Sequence, residues 1–411
     1  MMYRTKNATL LIFFPDIILS RQISMIHPST RALVRNMLIL SESEVRRCFP
    51  ISSAITANRK ALASLRKDGD GGAMVPTRIG LPYQSSNADG GKLESTSTPD
   101  WSLFKPAAYY PPQQMAKNDE ETLMGMKIIS IRANNPKLNK PMCPSTVMLV
   151  HAETGEVSAI VAATYLTAAR TAAGSALATE LALSKHPSGK YSFTLVVFGA
   201  GLQAEMHIKA IKHVVNISKV VIINRTLERA ENLKTEILQS NNDNDKESKT
   251  QTPITDISTI SLSDDDGVCN ALRIADIITT TTNTCIPLFR GELLKPGCHI
   301  NGIGSYTPLM REVDDVLVSR CEVIIDTKEA MDVGDLSSLR NQDEKVPSNY
   351  IGLIGDAIVG NIEIGKQRDD PNSKIDCTFF KSSGTAIQDV VSAQYACNYA
   401  VKNNVGKNIE M

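Results

Sequence analysis

The sequence lacks an excess of charge of either sign, and this absence excludes several classes of protein. Its 44 Lys and Arg residues equal its 44 Asp and Glu residues, so the formal net charge is zero. Nucleic-acid-binding proteins usually carry a clear basic excess, and we therefore expect no nucleic-acid partner. Hydrophobic residues make up 42% of the 411 residues, which is too many for a chain that is disordered throughout.

Long apolar runs and paired cysteines are also missing. The apolar stretch Leu10–Phe14 is broken by Pro15 and Asp16, whereas a membrane span needs about 20 apolar residues. We therefore expect no membrane partner. The eight cysteines are scattered singly, without the spacing of a zinc site, so we predict no metal centre. Dispersed thiols in a large chain are typical of a reducing compartment.

Residues 1–36 differ in composition from the rest of the chain. They contain five Arg and Lys residues but a single acid, Asp16. Two interpretations stay open. The segment is an organelle transit peptide, which would place the protein in a mitochondrion or a plastid, or the start codon is mis-set and the protein is cytoplasmic with Met37 as its first residue. In both cases we exclude this leader from the fold.

The chain from residue 37 to residue 185 mixes strand and helix patterns. Strands are predicted at Met126–Ile131, Val147–His151 and Val157–Ala162, and we expect them to share one sheet that is half-covered by helix. The Ala-rich run Leu166–Lys185 has a high helix propensity.

Strands and helices alternate after residue 186, which is typical of a parallel, doubly wound sheet. The strands predicted there are Tyr191–Phe198, Lys219–Ile223, Ala275–Thr280, His299–Gly302 and Glu322–Asp326, and the first two are followed by the helices Gln203–Val214 and Leu227–Leu238. The polar stretch 239–251 is predicted to be a flexible surface loop. The tail 376–401 is predicted to contain one strand, a turn, and a helix that begins at Thr385.

A glycine-rich turn follows the first of these strands. Residues 199–204 have the pattern G-x-G-x-x-A. Gly199 permits the sharp turn, Gly201 lets the backbone approach a pyrophosphate, and the small Ala204 lets helix and strand pack closely. Because the pattern lies between a strand and a helix, it predicts a dinucleotide site, with the phosphates at the helix N-terminus, rather than a tight turn alone.

The end of the second strand discriminates between the two nicotinamide dinucleotides. An NAD site usually has an acid about 20 residues after the glycine pattern, where it binds the ribose hydroxyls. Here that strand ends in Asn224, Arg225 and Thr226. An arginine can pair with a 2′-phosphate, so NADP(H) is favoured, although NAD(H) stays possible. The alternative for Arg225 is an ordinary solvated surface arginine.

Several segments, in order, resemble the ornithine cyclodeaminase/mu-crystallin family. They are Val75–Arg78, Gly125–Lys127, Leu166–Ala173, the glycine turn Gly199–Ala204, Ile303–Ser305 with Arg311–Asp314, and Phe380–Gly384. The string Leu-Thr-x-x-Arg-Thr-Ala-Ala followed by the glycine turn is quite specific, and the chain is identified as a member.

The resemblance implies an α/β fold and a homodimer. A Rossmann domain with a doubly wound parallel sheet, residues 186–335, would be inserted between the two parts of an α+β substrate and dimerisation domain, residues 37–185 and 336–411. It also implies a nicotinamide cofactor and a small α-amino or α-imino acid as the substrate.

The resemblance also assigns site residues. Arg78 and Arg170 would hold the substrate carboxylate, for which the guanidinium fork is well suited. Lys127 would transfer a proton at the reacting nitrogen or carbon, since burial lowers the pKa of a lysine towards neutrality. Lys381 is assigned to the substrate, although it could equally be a residue at the entry of the last helix.

The expected cofactor contacts surround the glycine turn and the neighbouring strand ends. They are Gly199, Gly201, Gln203, Ala204, Asn224, Arg225, Thr226, Thr281, Ile303 and Gly304. We interpret His207 as a packed or cofactor-side residue, and Glu312 as a residue that starts a helix and orients the domains.

Two departures from the family pattern concern the substrate. In ornithine cyclodeaminases an Asp follows the Ile-Gly-x segment and handles the amine, but Tyr306 occupies the matching position here. The same enzymes carry a Glu that holds the side-chain ammonium of ornithine. Residues 103–106 contain no acid, Lys105 among them would repel an ammonium, and Asp100 is the nearest carboxylate. Both departures argue against ornithine.

Three functions therefore compete. The favoured hypothesis is an NADPH-dependent reductase of cyclic imino acids, which corresponds to the ketimine reductases of the family. The second is an ornithine cyclodeaminase that forms proline and ammonia with bound NAD. The third is a crystallin-like protein that binds the cofactor without turnover.

Overall fold

The computed structural model describes residues 36–66, 72–83, 100–111, 121–184, 192–240, 254, 256–337, 349–368, 370 and 372–410. The leader, apart from Asn36, lies outside the described residues, and so do residues 241–251 of the predicted polar loop.

The described residues form sixteen strands and ten α-helices. The strands are β1 (Asn36–Leu40), β2 (Ala73–Met74), β3 (Ile79–Tyr83), β4 (Asp100–Tyr109), β5 (Leu123–Ile131), β6 (Ser145–Val150), β7 (Val157–Ala162), β8 (Phe193–Phe198), β9 (Ile217–Asn224), β10 (Asp256–Ser261), β11 (Ile277–Thr280), β12 (His299–Gly302), β13 (Cys321–Ile325), β14 (Tyr350–Leu353), β15 (Cys377–Lys381) and β16 (Lys407–Glu410). The helices are α1 (Glu42–Cys48), α2 (Ile51–Ala63), α3 (Thr164–Leu183), α4 (Leu202–Val214), α5 (Leu227–Ser240), α6 (Asp265–Ile274), α7 (Asp315–Ser319), α8 (Gly334–Ser337), α9 (Ile354–Ile358) and α10 (Ala386–Lys402).

The first sheet is mixed and has the order β16-β1-β7-β6-β5-β4-β2, with β3 paired to β4. Strands β4 to β7 are antiparallel to one another, and β1 is parallel to β7. The three strands predicted in this region are β5, β6 and β7, and they are neighbours in this sheet, as expected. Helix α10 packs against β4, β5 and β6, so one face of the sheet is covered by helix.

The second sheet is parallel and has the order β10-β9-β8-β11-β12-β15-β13-β14. The predicted strands of the alternating region all lie in it, which confirms a doubly wound Rossmann-like sheet. The strand order reverses between β8 and β11. Ligands of such sheets bind at the carboxyl ends of the strands at this reversal, which is where the glycine turn lies.

Strand β15 differs from its expected placement. We expected the strand of the C-terminal tail in the substrate domain, but β15 lies between β12 and β13 in the second sheet. All five of its residues are buried, and a continuous buried run is typical of a strand inside a parallel sheet. Residues 336–411 therefore contribute to both sheets, through β14 and β15 on one side and β16 on the other.

Helix α3 is buried on nearly every side. It packs against α2 and α10 beside the first sheet, and against α4 and β12 beside the second. Its many alanines allow these close approaches, because a methyl side chain adds little width to a helix. The same burial places Arg170 inside the protein rather than on its surface. No helix within the described ranges has both the length and the apolar character needed to cross a membrane.

Candidate active site

Three charged side chains meet inside the molecule. The Nζ atom of Lys127 lies 2.7 Å from Oδ1 of Asp389, and Nε of Arg170 lies 2.8 Å from the same oxygen. All three side chains are buried. The structure thus brings together two of the predicted residues, and it adds an aspartate that we did not predict.

Three elements position this cluster. Lys127 projects from β5 towards α10, Arg170 lies in the first half of α3, and Asp389 lies in the first turn of α10. A capping box between Thr385 and Gln388 fixes the start of α10. The side-chain oxygen of Gln388 also accepts a hydrogen bond from Arg170 at 3.2 Å. The helix start and the charged cluster are therefore held by the same groups.

The pKa values of the cluster follow from its burial. Burial, and next the neighbouring Arg170, lowers the pKa of Lys127 well below its ordinary value of 10.5, and Asp389 opposes this shift. Burial raises the pKa of Asp389, but Arg170, Lys127 and Lys105 outweigh it and hold this pKa below 3.8. Asp389 is therefore a carboxylate, and the proton-transfer role of Lys127 stays a prediction.

The turn at residues 382–384 lies next to the side chain of Arg170. Oδ2 of Asp326 accepts hydrogen bonds from the hydroxyl of Ser382 and the N–H of Gly384, both at 2.7 Å, and Oδ1 accepts from Ser383 at 3.2 Å. Gly384 has a φ of +71°, and a Cβ there would lie 2.6 Å from Nη1 of Arg170. Asp326 thus fixes a turn in which only glycine fits against the guanidinium.

Arg78 and Lys105 line a pocket beside this turn. Gly384 and Thr385 contribute to the same lining. The Nζ atom of Lys105 donates a hydrogen bond to the carbonyl of Gly384 at 3.0 Å. Arg78 is partly buried and contributes its side chain to the lining of this pocket. Arg170 lies beside Gly384 and Arg78 lines the pocket to which Gly384 contributes, and their joint role as a carboxylate clamp stays a prediction.

Lys381 does not join this cluster. Its Nζ atom lies 2.9 Å from Oδ2 of Asp335, and both side chains are fully buried. Phe380 packs in the core that contains α3. Because side chains alternate along a strand, Lys381 points to the opposite face of the second sheet, away from Arg170. The structure therefore places this predicted substrate residue in a buried ion pair.

The glycine turn has the geometry of a dinucleotide site. Gly199 has a φ of +116°, and a Cβ there would lie 2.4 Å from the hydroxyl oxygen of Thr281. That hydroxyl donates to the carbonyl of Phe198 at 2.9 Å, so Thr281 fixes the strand end beside the turn. Gly201 precedes α4, and no side chain caps this helix. A Cβ on Gly201 would meet no atom within 4 Å.

These observations fit a dinucleotide. The uncapped N-terminus of α4 offers N–H groups to phosphates, and the open side of Gly201 admits a close approach of the pyrophosphate. Gln203 has a buried side-chain oxygen without a hydrogen-bond partner in the described structure. Ala204 is fully buried and permits the contact between helix and sheet.

The tip of β9 presents the residues that would contact the ribose. Arg225 and Thr226 are exposed, and the amide of Asn224 donates to the carbonyl of Thr226 at 2.8 Å. The backbone of this tip is thus held by Asn224, while the guanidinium of Arg225 is accessible to solvent.

Glu312 has a role that we did not predict. Its carboxylate accepts hydrogen bonds from the N–H groups of Thr282 and Gly304, both at 2.6 Å, and from the hydroxyl of Thr280 at 2.8 Å. It lies before α7, which begins at Asp315, and so does not start a helix. Instead it joins the loops that follow β11 and β12.

The predicted residues Ile303 and Gly304 belong to the second of these loops. Ile303 is buried, and the N–H of Gly304 is bound by Glu312. Contact of these two residues with the cofactor stays a prediction.

His207 is fully buried, and Tyr306 is partly buried. The ring nitrogens of His207 contact the carbonyl of Gln203 at 2.6 Å and the hydroxyl of Ser175 at 3.1 Å, and burial lowers its pKa to about 4. His207 is therefore a neutral, packed residue. Burial raises the pKa of Tyr306 to about 12. The thiol of Cys143 interacts with both Tyr306 and Lys127, so Tyr306 lies on the Lys127 side of the site.

Comparison of the sequence with known proteins agrees with this geometry. The sequence model of the ornithine cyclodeaminase/mu-crystallin family matches residues 112–404. An uncharacterized cyclodeaminase of Dictyostelium discoideum is 31% identical over 388 residues, which cover 91% of this chain and 100% of the relative. A Delta(1)-pyrroline-2-carboxylate reductase of Bacillus cereus is 32% identical over 290 residues, which cover 70% of this chain and 80% of the relative.

Two solved structures share the fold. The Delta(1)-pyrroline-2-carboxylate reductase of Thermococcus litoralis, in complex with NADH and L-proline, superposes with a TM-score of 0.71 at 23% identity and covers 91% of this chain and 100% of its own. An archaeal alanine dehydrogenase dimer with bound NAD superposes with a TM-score of 0.70 at 22% identity and covers 92% of this chain and 99% of its own. With its glycine turn, its buried charged cluster and this family match, the chain belongs to the ornithine cyclodeaminase/mu-crystallin family of NAD(P)-binding, Rossmann-type oxidoreductases.

Proposed function

We propose that the protein is an NADPH-dependent reductase of cyclic α-imino acids. The observation that carries this proposal is the buried side chain of Lys127, whose Nζ atom lies 2.7 Å from Asp389 beside the guanidinium of Arg170. Such a group can donate a proton next to a bound carboxylate. The reductases of Bacillus cereus and Thermococcus litoralis named above act on an imino acid of this class.

Each side chain of the site has its own role in the proposed reaction. Arg78 and Arg170 bind the substrate carboxylate and orient the imine. Lys127 donates a proton from Nζ to the imine nitrogen, which makes the imine carbon electron-poor. When bound, the reduced nicotinamide supplies the hydride that this carbon accepts. Asp389 accepts hydrogen bonds from both Lys127 and Arg170, so the proton donor and the carboxylate site keep a fixed relative position.

The preference for NADPH rests on Arg225. The two solved structures named above contain NADH or NAD, and neither ligand carries a 2′-phosphate. The proposed preference for NADPH therefore does not come from these relatives. In this chain Arg225 is exposed beyond the end of β9, where a 2′-phosphate would lie. The nearest acid in sequence, Glu228, lies in α5.

The side chains around the site disfavour a cyclodeaminase. Lys105 lines the pocket and would repel the side-chain ammonium of ornithine. The carboxylate of Asp100 accepts a hydrogen bond from the N–H of Ala133 at 3.0 Å, and this contact holds it at the far end of β4. Tyr306, with a pKa of about 12, is protonated and cannot replace a carboxylate.

We also propose that a second copy of the chain covers the open face of the first sheet. Helix α10 covers one face. On the other face, Met124 and Ile128 of β5 are each 37% exposed, and Met126 between them is partly exposed. An apolar sheet face is a liability in a monomer, and the archaeal alanine dehydrogenase with the same fold is a dimer.

The reaction itself can be tested with the full chain and the variant Lys127→Met. Mixed with NADPH and either pyrroline-2-carboxylate or piperideine-2-carboxylate, the protein is expected to oxidise NADPH, as followed by the absorbance of the reduced cofactor. Because general acid catalysis contributes roughly 10²–10⁴-fold, Lys127→Met should lower kcat/KM at least about 10²-fold. The exposed Lys140→Met is the matched control.

In the same assay, kcat/KM is expected to fall as the pH rises. Burial lowers the pKa of Lys127 well below 10.5, so the protonated donor is lost as the pH rises through this lowered value, and kcat/KM should fall there. Failure of both imino acids to oxidise NADPH would refute the proposal. Release of ammonia and proline from ornithine would instead favour the cyclodeaminase.

The dinucleotide site can be tested by adding a methyl group at Gly201. A Cβ there would meet no protein atom within 4 Å, so Gly201→Ala should leave the thermal unfolding midpoint unchanged and weaken NADPH binding at least about tenfold by blocking the pyrophosphate. Gly304→Ala is the contrasting variant, because its Cβ would lie 1.7 Å from the carbonyl oxygen of Thr282 and should destabilise the fold. Unchanged NADPH affinity in Gly201→Ala would contradict this site.

The choice of cofactor can be tested with Arg225→Ala. Loss of a charge-assisted contact to the 2′-phosphate should weaken NADPH binding about tenfold or more, with little change for NADH. Fluorescence titration of the reduced cofactors measures both affinities, and the exposed Arg229→Ala on α5 is the control. Equal losses for the two cofactors, or none, would show that Arg225 does not contact a 2′-phosphate.

The assembly can be tested with Ile128→Glu. A carboxylate on the open sheet face cannot be buried in an interface without a large desolvation cost, so the variant should be a monomer where the unmodified chain is a dimer. Light scattering after size-exclusion chromatography measures the mass. A monomeric unmodified chain would contradict the proposed dimer.

A further inference from the structure

Lys105 occupies a position that is costly for a lysine. It lies on β4 directly opposite Lys127 of β5, and both side chains are buried. Directly opposed residues of an antiparallel pair project to the same face of the sheet, where like charges destabilise the pair. A buried lysine placed beside the lysine of the active site therefore weakens the fold, and such costs are typical of functional positions.

The two lysines differ in their partners. Lys127 is paired with Asp389. Nζ of Lys105 donates a hydrogen bond to the carbonyl of Gly384 at 3.0 Å. Among the residues that the structure describes, no carboxylate lies close enough to form an ion pair with it. Asp389 and Asp326 act on it from a greater distance. A buried ammonium without an adjacent anion is unfavourable, so this position favours an anionic ligand.

The charge of Lys105 is present under physiological conditions. Burial lowers its pKa, and Arg170 and Arg78 lower it further, while Asp389 opposes them, so that the pKa is about 8. At neutral pH the side chain is therefore mostly protonated.

The side chain of Lys105 also lines a small pocket beside the Gly384 turn. It lines the pocket together with Arg78, Thr327 and Glu329. The hydroxyl of Thr327 donates to the carboxylate of Glu329. Arg78 and Lys105 are the two cations of this lining, on the same side of the Gly384 turn.

We propose that Lys105 binds a second acidic group of the substrate, so that the preferred substrates are α-imino acids with an additional carboxylate. This inference rests on the proposed function, since it assigns one carboxylate to Arg78 and Arg170 and the proton to Lys127. A second carboxylate in the pocket gives Lys105 the counterion that it lacks. A neutral side chain would leave the buried ammonium unpaired, and sites of this kind discriminate strongly against ligands that lack the matching group.

The test compares amino acids, the products of imine reduction, in pairs that differ in charge but hardly in shape. L-glutamate and L-glutamine form one pair, and L-aspartate and L-asparagine form the other. Each is titrated calorimetrically into the full chain saturated with NADPH. We expect the acid to bind at least about tenfold more tightly than its amide in one or both pairs. Equal affinities in both pairs, or no binding by any of the four, would overturn the proposal.

Variants identify the residue responsible. In Lys105→Met, which keeps the length of the side chain without its charge, the ratio of the acid and amide affinities should fall to about one. Lys105→Arg should retain a ratio above one, and the exposed Lys140→Met should keep the ratio of the unmodified chain. A preference for the acid that survives in Lys105→Met would refute the role of Lys105.

The unmodified chain tests the preference on its own, so the proposal stays falsifiable even if Lys105→Met does not fold. The two proposals fail in different ways. If the chain oxidises NADPH with pyrroline-2-carboxylate but shows no preference for the acid, the reductase function stands and the second subsite is wrong. If the acid is preferred but no imino acid is reduced, the subsite stands and the reductase function is wrong.

Discussion

One carboxylate oxygen, Oδ1 of Asp389, holds the site together. It accepts hydrogen bonds from both Lys127 and Arg170, and it thereby joins β5, α3 and α10, three elements that are far apart in the sequence. Two cations at this depth would repel each other without it, since electrostatic interactions are strong where water is excluded. Removal of one partner from a buried group of charges typically costs about 3–5 kcal/mol. The chemistry of the site and the packing of its elements therefore depend on the same contact.

The parts of the molecule that could be predicted are those that depend on local sequence. The strand before Gly199, the helix after Gly201 and the strands β5 to β7 follow from short patterns of apolar and turn residues. Lys127 and Arg170 were found through longer family motifs. Asp389 was not, because its partners come from distant segments. The available signal was an acid in the first turn of α10, between the apolar residues Ile387 and Val390.

The role of Glu312 was misjudged and that of Asp326 was missed, because their partners also come from other segments of the chain. Glu312 and Asp326 accept hydrogen bonds mainly from backbone N–H groups, and the sequence does not mark which loops will present them. The position of β15 depends on which strands lie beside it, and its five buried residues fit either sheet. Lys105 entered the sequence argument only as a charge that repels ammonium. The proposal that it binds an acidic group depends on its position opposite Lys127 and beside Gly384, which the sequence does not show.

Helix α3 connects the buried charged cluster to the elements of the second sheet. Near its start Arg170 contacts Asp389. Further along, Ser175 contacts His207 of α4 at 3.1 Å, and Thr179 accepts a hydrogen bond from Asn301 of β12 at 3.0 Å. Arg170, the helix that follows the glycine turn and β12 are thus all fixed to α3, so the length of helix between these contacts sets the separation between the charged cluster and the glycine turn. Residues that line the pocket can therefore be exchanged without altering that separation, as long as Arg170, Ser175 and Thr179 keep these contacts.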